Sequence, residues 1–380
     1  MNFELSEEHK MIQNTAREFA EKEVKPRARE IDETGEFPRE NFRKAAQLGF
    51  TGVYIPESYG GAGFDHVAYC LVIEEISRVC ASTGVILSVC NTLLPDPILR
   101  FGTEAQKKKY VVPHARGEKI GCYCLTEPQA GSDAANQKTT AVRRGDCYIL
   151  NGTKAWVTNG AVADTAIVYA ATDPALGSKG ISAFIVESRF PGWKVVREEK
   201  KMGIVATATA EICLQDCQVP KDNLLGQEGQ GFKIALRTLD DGRVGIAAQA
   251  TGIAQGAYEE SLNYSQQRVA FGQLIASFQA IRFMLADMAT EIEAARLLLR
   301  RAAWLQDHAE RYSLEASLAK LFASEMAQRV CHKAVQIHGG YGFSRDYAVE
   351  RMYRDQRITE LYEGTSEIQR LVIARHLLGG

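Results

Sequence analysis

The stretch Tyr362-Glu363-Gly364-Thr365-Ser366-Glu367 lies near the carboxyl end, between two segments with helical patterns. The preceding pattern ends near residues 357–359, and Ser366 with Gln369 has the Ser-x-x-Gln spacing of a capping box. We therefore predict a turn at Glu363 that opens a new helix. A carboxylate held between two helix ends can be aimed as a base, whereas an isolated glutamate in a turn is more often solvated. The rest of the chain has to decide between these two interpretations.

The composition excludes several classes of function. The 380 residues carry a formal net charge of −2, which argues against nucleic acid as the main partner. They contain no apolar run of about 18 residues, so no membrane span is expected. Residues 1–5 carry an early acid and lack the basic and apolar regions of a signal or transit peptide. We expect a cytoplasmic protein, with a processed mitochondrial form left open.

The nine cysteines and seven histidines do not indicate a metal site. The cysteines are scattered and form no Cys-x-x-Cys pair, which favours buried or idle thiols in a reducing compartment. His332 and His338 are six residues apart, which is not a helical metal-ligand spacing. We therefore expect no metal.

The hydrophobic pattern divides the chain into three parts. Helical spacing of apolar residues, such as Ile12, Ala16 and Phe19, predicts an all-helical domain over residues 1–118. Short strands at roughly ten-residue spacing predict a small β-barrel or sandwich over residues 119–222. Residues 223–380 return to helical patterns and predict a four-helix-type bundle with four or five long helices. The predicted fold class is mainly α with a central β domain.

Local signals place several boundaries within these domains. Asn151-Gly152 and Asn159-Gly160 are dipeptides that two-residue hairpin turns prefer. The glycines between residues 226 and 231 predict a turn that opens a helix. Ser313 is the expected N-cap of a later helix, which Gly339-Gly340 would end.

Several stretches could bind a planar, phosphate-bearing cofactor, although each has an ordinary structural alternative. The sequence lacks the Gly-x-Gly-x-x-Gly and Gly-x-x-x-x-Gly-Lys-Ser/Thr motifs, so a nucleotide would have to be held in another way. The loop 122–133 offers hydroxyls and backbone N–H groups. Trp156 and Thr158 would share one face of a strand, which suits stacking but equally suits core packing. Arg268 and Phe271 could grip a phosphate and a base, or simply end a helix.

Together these stretches resemble the acyl-CoA dehydrogenase family over nearly the whole chain. The specific motifs are Leu125-Thr126-Glu127-Pro128 with Ala130-Gly131-Ser132-Asp133, Trp156-Val157-Thr158-Asn159-Gly160, Gln336-Ile337-His338-Gly339-Gly340-Tyr341-Gly342 and Tyr362-Glu363-Gly364-Thr365. The similarity is strongest to the short-chain (butyryl-CoA) branch, through Thr238-Leu239-Asp240, Gly242-Arg243 and residues 368–374. The resemblance implies FAD as cofactor, an acyl-CoA substrate, electron-transfer flavoprotein as electron acceptor, and a homotetramer built as a dimer of dimers.

The resemblance also implies a role for individual residues. The expected FAD contacts are Tyr123, Leu125, Thr126, Gly131, Ser132, Trp156, Val157, Thr158, Arg268, Phe271, Gln279, Gln336, Ile337, Gly339, Gly340, Thr365 and Glu367, of which the set from Arg268 to Gly340 would serve a neighbouring subunit. The expected acyl-CoA contacts are Ser132, Asp240, Arg243, Tyr362 and Gly364. From spacing alone, Asp240 and Arg243 form an ordinary surface salt bridge.

Glu363 is the catalytic base that the resemblance implies. It would remove the α-proton of the thioester while the β-hydride passes to flavin N5, yielding the 2-enoyl-CoA. Some branches, such as isovaleryl-CoA dehydrogenases, carry the base immediately before the arginine that matches Arg243. That position here is Gly242, which has no side chain to act as a base. We expect exclusion of water by substrate to raise the pKa of Glu363, and the nearby helix end to oppose the rise.

Three questions stay open at the level of sequence. The same fold also serves acyl-CoA oxidases and flavin monooxygenases that react with oxygen, although the chain length and the intact Glu363 motif favour the dehydrogenase. A non-enzymatic helical scaffold is a third possibility. Asp96 is unusual where the family lines the acyl end of its pocket, so it would either favour a branched or cyclic acyl group or cap the turn before Pro97.

Overall fold

The amino-terminal part of the chain is helical in the computed structural model, which describes residues 4–379. Residues 1–3, on which the expectation of no leader partly rests, and Gly380 lie outside the described part. The helices of this part are α1 Glu7–Phe19, α2 Ala28–Thr34, α3 Arg39–Gln47, α4 His66–Ser77, α5 Ala81–Thr92, α6 Pro95–Phe101, α7 Glu104–Gln106 and α8 Val112–Ala115.

Helix α1 follows from the sequence pattern, whereas α5 does not. The Ser6 side chain caps α1, and the predicted stripe of Ile12, Ala16 and Phe19 is buried. Every residue of α5 is buried, so its sequence carries no amphipathic stripe. A helix without such a stripe gives no periodic signal, so α5 was not predicted as a separate element.

The middle part forms one twisted sheet. Its strands are β1 Gly121–Cys124, β2 Thr140–Arg144, β3 Cys147–Val157, β4 Thr165–Ala171, β5 Ile181–Glu187, β6 Trp193–Glu198, β7 Ala210–Pro220 and β8 Leu224–Leu225. The strand order is β6-β7-β3-β2-β4-β5-β8, and β1 pairs in parallel with β4. Every residue of β4 and β5 is buried, which places these two strands at the centre of the domain.

Both hairpin predictions are wrong. Asn151 and Gly152 lie inside β3, at a shift in its pairing with β7. Gly152 has a φ of 155°, and a Cβ there would also collide with Thr139. Asn159 does adopt a left-handed conformation, with a φ of 64°. However, the strands on either side of it, β3 and β4, are not paired with each other.

The carboxyl-terminal part is a bundle with three long and two shorter helices in the described residues. These are α9 Gly231–Ser265, α10 Gln279–His308, α11 Ser313–His338, α12 Ala348–Gln356 and α13 Ser366–Leu378, with a small ribbon of β9 Val269–Ala270 and β10 Gln273–Leu274 after α9. Gly339 ends α11 with a φ of 61°, as predicted. The N-cap position of α11 is Tyr312, so the prediction that Ser313 caps this helix is wrong.

Helix α9 is the central element of the molecule. It packs against α10 and α11 of the bundle and also against α4 and α5 of the amino-terminal part. Gly252 and Gly256 allow this close approach, because a Cβ at either would collide with a backbone carbonyl oxygen of Glu74 or Arg78. Side chains near the middle of α9 are consequently buried. Among the helices of residues 4–379, none is long and apolar enough to cross a membrane.

Candidate active site

Glu363 lies in a turn with an unusual backbone conformation. Its φ is 55° and that of Gly364 is 89°, so two successive residues are left-handed. The Gln369 side-chain amide donates to the carbonyl oxygens of Glu363 at 3.0 Å and Gly364 at 2.9 Å. The N-cap of α13 is Thr365, whose hydroxyl accepts from the Ile368 N–H, so the prediction that Ser366 caps the helix is wrong. Left-handed non-glycine residues cluster at functional sites.

The Glu363 carboxylate points into the protein toward α9. Its Oε2 atom is buried and has no hydrogen-bond partner among the described residues. A Cβ built on Gly242 would lie 2.6 Å from this oxygen. The absence of a side chain at Gly242 therefore provides the space that the carboxylate occupies. A buried carboxylate oxygen without a partner indicates a functional group, because such a group is costly to retain for stability alone.

The surroundings of Glu363 raise its pKa from 4.5 to about 7. Burial is the main cause, and the positive charges of Arg243 and Lys320 oppose it. The hydroxyl of the neighbouring Tyr362 donates to the side-chain oxygen of Gln249. The interpretation of Glu363 as a solvated turn residue is therefore wrong. A carboxylate with a pKa near neutrality can both accept and release a proton.

Asp240 and Arg243 form a buried pair one turn apart on α9. Arg243 donates to Asp240 at 2.6 Å, and the Ser313 hydroxyl donates to the second Asp240 oxygen. Both side chains are less than a tenth exposed. The surface salt bridge expected from spacing is wrong because α9 lies at the centre of the fold. Arg243 also places a positive charge beside Glu363.

The loop after β1 is fastened to β3 by a buried lysine. Lys154 donates to the carbonyl oxygen of Leu125 at 3.2 Å and to Glu127 at 2.8 Å, and its side chain is fully buried. The Ala155 N–H donates to the Thr126 carbonyl oxygen at 2.9 Å. The loop carrying Leu125 and Thr126 is therefore held directly beside the last residues of β3.

Trp156 presents an uncovered ring at the end of β3. Its φ is 60° and its side chain is 59% exposed, whereas Val157 is buried. The strand ends at Val157, so Thr158 lies in the following turn rather than on the strand face that the sequence predicted. Gly131 and Ser132 are exposed in the adjoining loop, and Tyr123 on β1 donates to the carbonyl oxygen of Ala235 on α9. A flat aromatic surface of this kind suits stacking on a planar heterocycle.

A second group of predicted residues lines a groove on the bundle. The groove has a volume of about 580 Å³, and among its walls are Arg268, Ile337, Gly339 and Gly340. The Arg268 guanidinium lies over the Tyr341 ring, 5.3 Å from its centre. A Cβ at either glycine would meet nothing within 4 Å, so the backbone there is open to close approach. A cation beside accessible backbone is suited to a phosphate group.

Four more predicted residues lie at the surface. Phe271, three residues after Arg268, is 95% exposed and has a φ of 51°. The other three are also exposed: Gln279 at the start of α10, Gln336 near the end of α11 and Glu367 at the start of α13. An almost uncovered phenylalanine indicates a surface that another group covers.

Sequence analysis missed two features near the site. Lys320 on α11 is fully buried and donates to the Gly364 carbonyl oxygen at 2.8 Å. A lysine among the alanines of an apolar helix face is the signal that could have revealed it. The second is Asp241 of α9, which lies against Asp96, a residue that the sequence did single out; Asp96 also forms an ion pair with Arg100 at 2.8 Å. Asp96 does not cap α6, so the turn-capping interpretation is wrong.

The described residues contain no group of three metal-binding side chains. The nine cysteines are free thiols, and only Cys147 and Cys213 are partly exposed.

Comparisons with known proteins agree with this arrangement. The family models for the acyl-CoA dehydrogenase N-terminal, middle and C-terminal domains match residues 6–118, 122–217 and 229–378. A relative from Clostridium acetobutylicum, "Acyl-CoA dehydrogenase, short-chain specific", is 51% identical over 98% of this chain and 99% of its own.

Two solved structures superpose closely. Butyryl-CoA dehydrogenase from Megasphaera elsdenii has a TM-score of 0.97 and 45% identity, with full coverage of both chains. A chain of the structure described as "Electron transferring flavoprotein of Acidaminococcus fermentans" has a TM-score of 0.99 and 50% identity, also with full coverage of both.

Proposed function

Because the chain belongs to the acyl-CoA dehydrogenase family and is an FAD-dependent oxidoreductase, we propose that it dehydrogenates a short-chain or small branched or cyclic acyl-CoA. The product is the 2-enoyl-CoA, and electron-transfer flavoprotein accepts the electrons. The observation that carries this proposal is the buried Oε2 atom of Glu363, which has no partner among the described residues and occupies the space left by Gly242.

The residues present fit FAD. Trp156 offers an uncovered ring beside the fastened Thr126 loop, and the groove at Arg268 and Gly339-Gly340 offers a cation with open backbone. When bound, FAD supplies the acceptor for the substrate hydride. We assign the isoalloxazine ring to the loop and strand residues Tyr123, Leu125, Thr126, Gly131, Ser132, Trp156, Val157 and Thr158. We assign the pyrophosphate and adenosine to Arg268, Phe271, Gln279, Gln336, Ile337, Gly339, Gly340, Thr365 and Glu367.

Glu363 acts on the α-carbon of the thioester. Its carboxylate is aimed inward by a turn whose carbonyl oxygens are held by Gln369, so little reorganisation is needed when substrate binds. Burial raises the pKa of Glu363 to about 7, which strengthens it as a base at neutral pH. Its backbone N–H is the donor that we assign to the thioester oxygen, where negative charge develops as the proton leaves.

The buried pair of Asp240 and Arg243 orients the rest of the substrate. Asp240 already binds Arg243 and Ser313, so it is not free to compete with Glu363 as a base. The fixed charge of Arg243 keeps a share of Glu363 ionised. We assign Ser132, Tyr362 and Gly364 to the same acyl-CoA site.

The acyl group and the electron acceptor rest on the relatives. The Clostridium acetobutylicum relative is described as short-chain specific, and the Megasphaera elsdenii structure is a butyryl-CoA dehydrogenase. Electron-transfer flavoprotein as partner is supported by the Acidaminococcus fermentans structure. We extend the proposal to a branched or cyclic acyl group because Asp96 of α6, paired with Arg100, lies against the buried Asp241 of α9.

The test is anaerobic bleaching of the enzyme-bound flavin by a panel of thioesters. We expect butyryl-CoA to bleach it, and isobutyryl-, cyclohexanecarbonyl- and octanoyl-CoA to rank the acyl preference. A holoenzyme that none of the panel bleaches would contradict the proposed activity. Release of hydrogen peroxide with acyl-CoA in air, at the rate of turnover, would identify an oxidase instead of a dehydrogenase.

We also propose a homotetramer arranged as a dimer of dimers, in the cytoplasm. The nearly uncovered Phe271 ring and the open groove at Arg268 support a neighbouring subunit that completes the FAD site. Light scattering of the holoenzyme should give four times the mass of the chain. A monomer that retains FAD would contradict this assignment.

A further inference from the structure

Lys320 is a charged residue at a position where an apolar one would be expected. It lies on α11 between the buried residues Ala316, Ala319 and Ala323, and its side chain is fully buried. Burial lowers its pKa from 10.5 to about 7, so retaining a lysine here carries a free-energy cost. Such a residue needs a compensating role.

The ammonium group of Lys320 is bound to the turn that carries Glu363. Its Nζ donates to the Gly364 carbonyl oxygen at 2.8 Å. The same oxygen also accepts from the Gln369 amide at 2.9 Å. Two donors from two helices thus hold the carbonyl of the second left-handed residue in the turn. The two differ in one respect, because only Lys320 can bring a charge.

We propose that Lys320 is a positioning residue for Glu363, which it serves by fixing the Gly364 carbonyl and by placing a positive charge beside the carboxylate. This inference rests on the proposed function of Glu363 as base.

The charged groups around Lys320 and Glu363 determine how Lys320 affects the ionisation of Glu363. Glu363, Glu360 and Glu367 favour the charged form of Lys320, and Arg243 opposes it. Arg243 and Lys320 favour the ionised form of Glu363. Below pH 7 Lys320 carries its proton, so it acts in the pH range where Glu363 would otherwise be neutral and inactive. Loss of the Lys320 charge should therefore raise the pKa of Glu363.

The experiment compares kcat/KM for butyryl-CoA across pH 5 to 9 in the holoenzyme and three variants. In Lys320→Met we expect the acidic limb of kcat/KM to move up by about 1 pH unit. In Gln369→Leu, which loses a neutral donor to the same carbonyl, we expect a lower plateau with the limb unmoved. Lys333→Met on the same helix, which loses partly exposed ion pairs with Asp287 and Glu291, is the matched control and should change neither.

The outcomes separate the two proposals. If the wild-type enzyme does not turn over any thioester, the proposed function fails and no pH profile exists. If the wild-type enzyme is active and Lys320→Met keeps its acidic limb, Lys320 is only structural and the inference is overturned. A lower thermal midpoint or lower flavin content with an unmoved limb counts as the same result. Should Lys320→Met not fold, Lys320→Gln, which keeps a neutral donor, must show the same shift.

Discussion

Gly242 on α9 and Glu363 in the turn before α13 share one site, because a Cβ on Gly242 would lie 2.6 Å from Oε2 of Glu363. Two residues 121 positions apart in sequence therefore have complementary shapes. The missing side chain on the helix provides the space for the carboxylate in the turn. The geometry of the site therefore depends on a glycine that has no chemistry of its own.

Gly242→Ala should lower the rate of flavin bleaching by butyryl-CoA about 100-fold. The new methyl group would displace the Glu363 carboxylate from the position in which it can reach the α-proton of the substrate. The matched control is a double-mutant cycle with Glu363→Asp, whose shorter side chain leaves room for the methyl group. The effect of Gly242→Ala should be much smaller in the Glu363→Asp background. Equal effects in both backgrounds would show that the two residues do not interact.

Breaking the buried ion pair that fastens the Thr126 loop should destabilise the fold. Lys154→Met leaves Glu127 buried without its cation, and we expect a loss of about 3–5 kcal/mol in the free energy of unfolding and weaker retention of FAD. Removing both charges with Lys154→Met and Glu127→Gln should cost less than Lys154→Met alone. Thermal unfolding with flavin release measures both, and a double variant less stable than Lys154→Met would be the contrary result.

Ionisation of Glu363 should lower the free energy of unfolding as pH rises. Its folded-state pKa of about 7 lies above the ordinary 4.5, so the folded state holds the proton more tightly. The stability that protonation contributes is complete below pH 4.5 and is lost as pH rises through 7. Glu363→Gln mimics the protonated form. Its free energy of unfolding, relative to that of the wild type, should therefore increase by up to about 3 kcal/mol between pH 4.5 and pH 7. A stability difference that does not vary between pH 5 and 8 would refute this environment for Glu363.

The groove at Arg268 should bind FAD through its phosphates. Arg268→Met should weaken FAD binding and reduce its dependence on salt, because one phosphate contact is lost. Arg268→Lys should restore part of the affinity, since it keeps the charge but not the planar fork. Titration of apoenzyme with FAD at two salt concentrations makes the comparison. Unchanged affinity in Arg268→Met would exclude this groove from the cofactor site.

The sequence predicted the parts of the fold that produce one-sided patterns. The stripe of α1 and the glycine that ends α11 are local signals, and both were confirmed. Helix α5 is buried on every side, so its apolar pattern has no period to detect. Asn151-Gly152 has the composition of a turn but lies in a bulged strand, because pairing with β7 overrides the local preference.

The candidate site was only partly predictable for a related reason. Glu363 was found through its motif, but its burial depends on α9, which is distant in sequence. Burial of the Asp240–Arg243 pair, and the contact of Lys320 with Gly364, likewise depend on the packing of helices that the sequence does not place relative to each other. Spacing predicts which residues share a helix face, but not which face becomes the interior.

The most direct test of the account is anaerobic mixing of Glu363→Gln holoenzyme with butyryl-CoA. The variant removes the base and keeps the shape of the side chain. We expect it to purify with FAD bound, to bind the thioester, and to bleach its flavin at least about 1,000-fold more slowly than the wild type. Bleaching at the wild-type rate would contradict the assignment of Glu363 as the group that removes the α-proton.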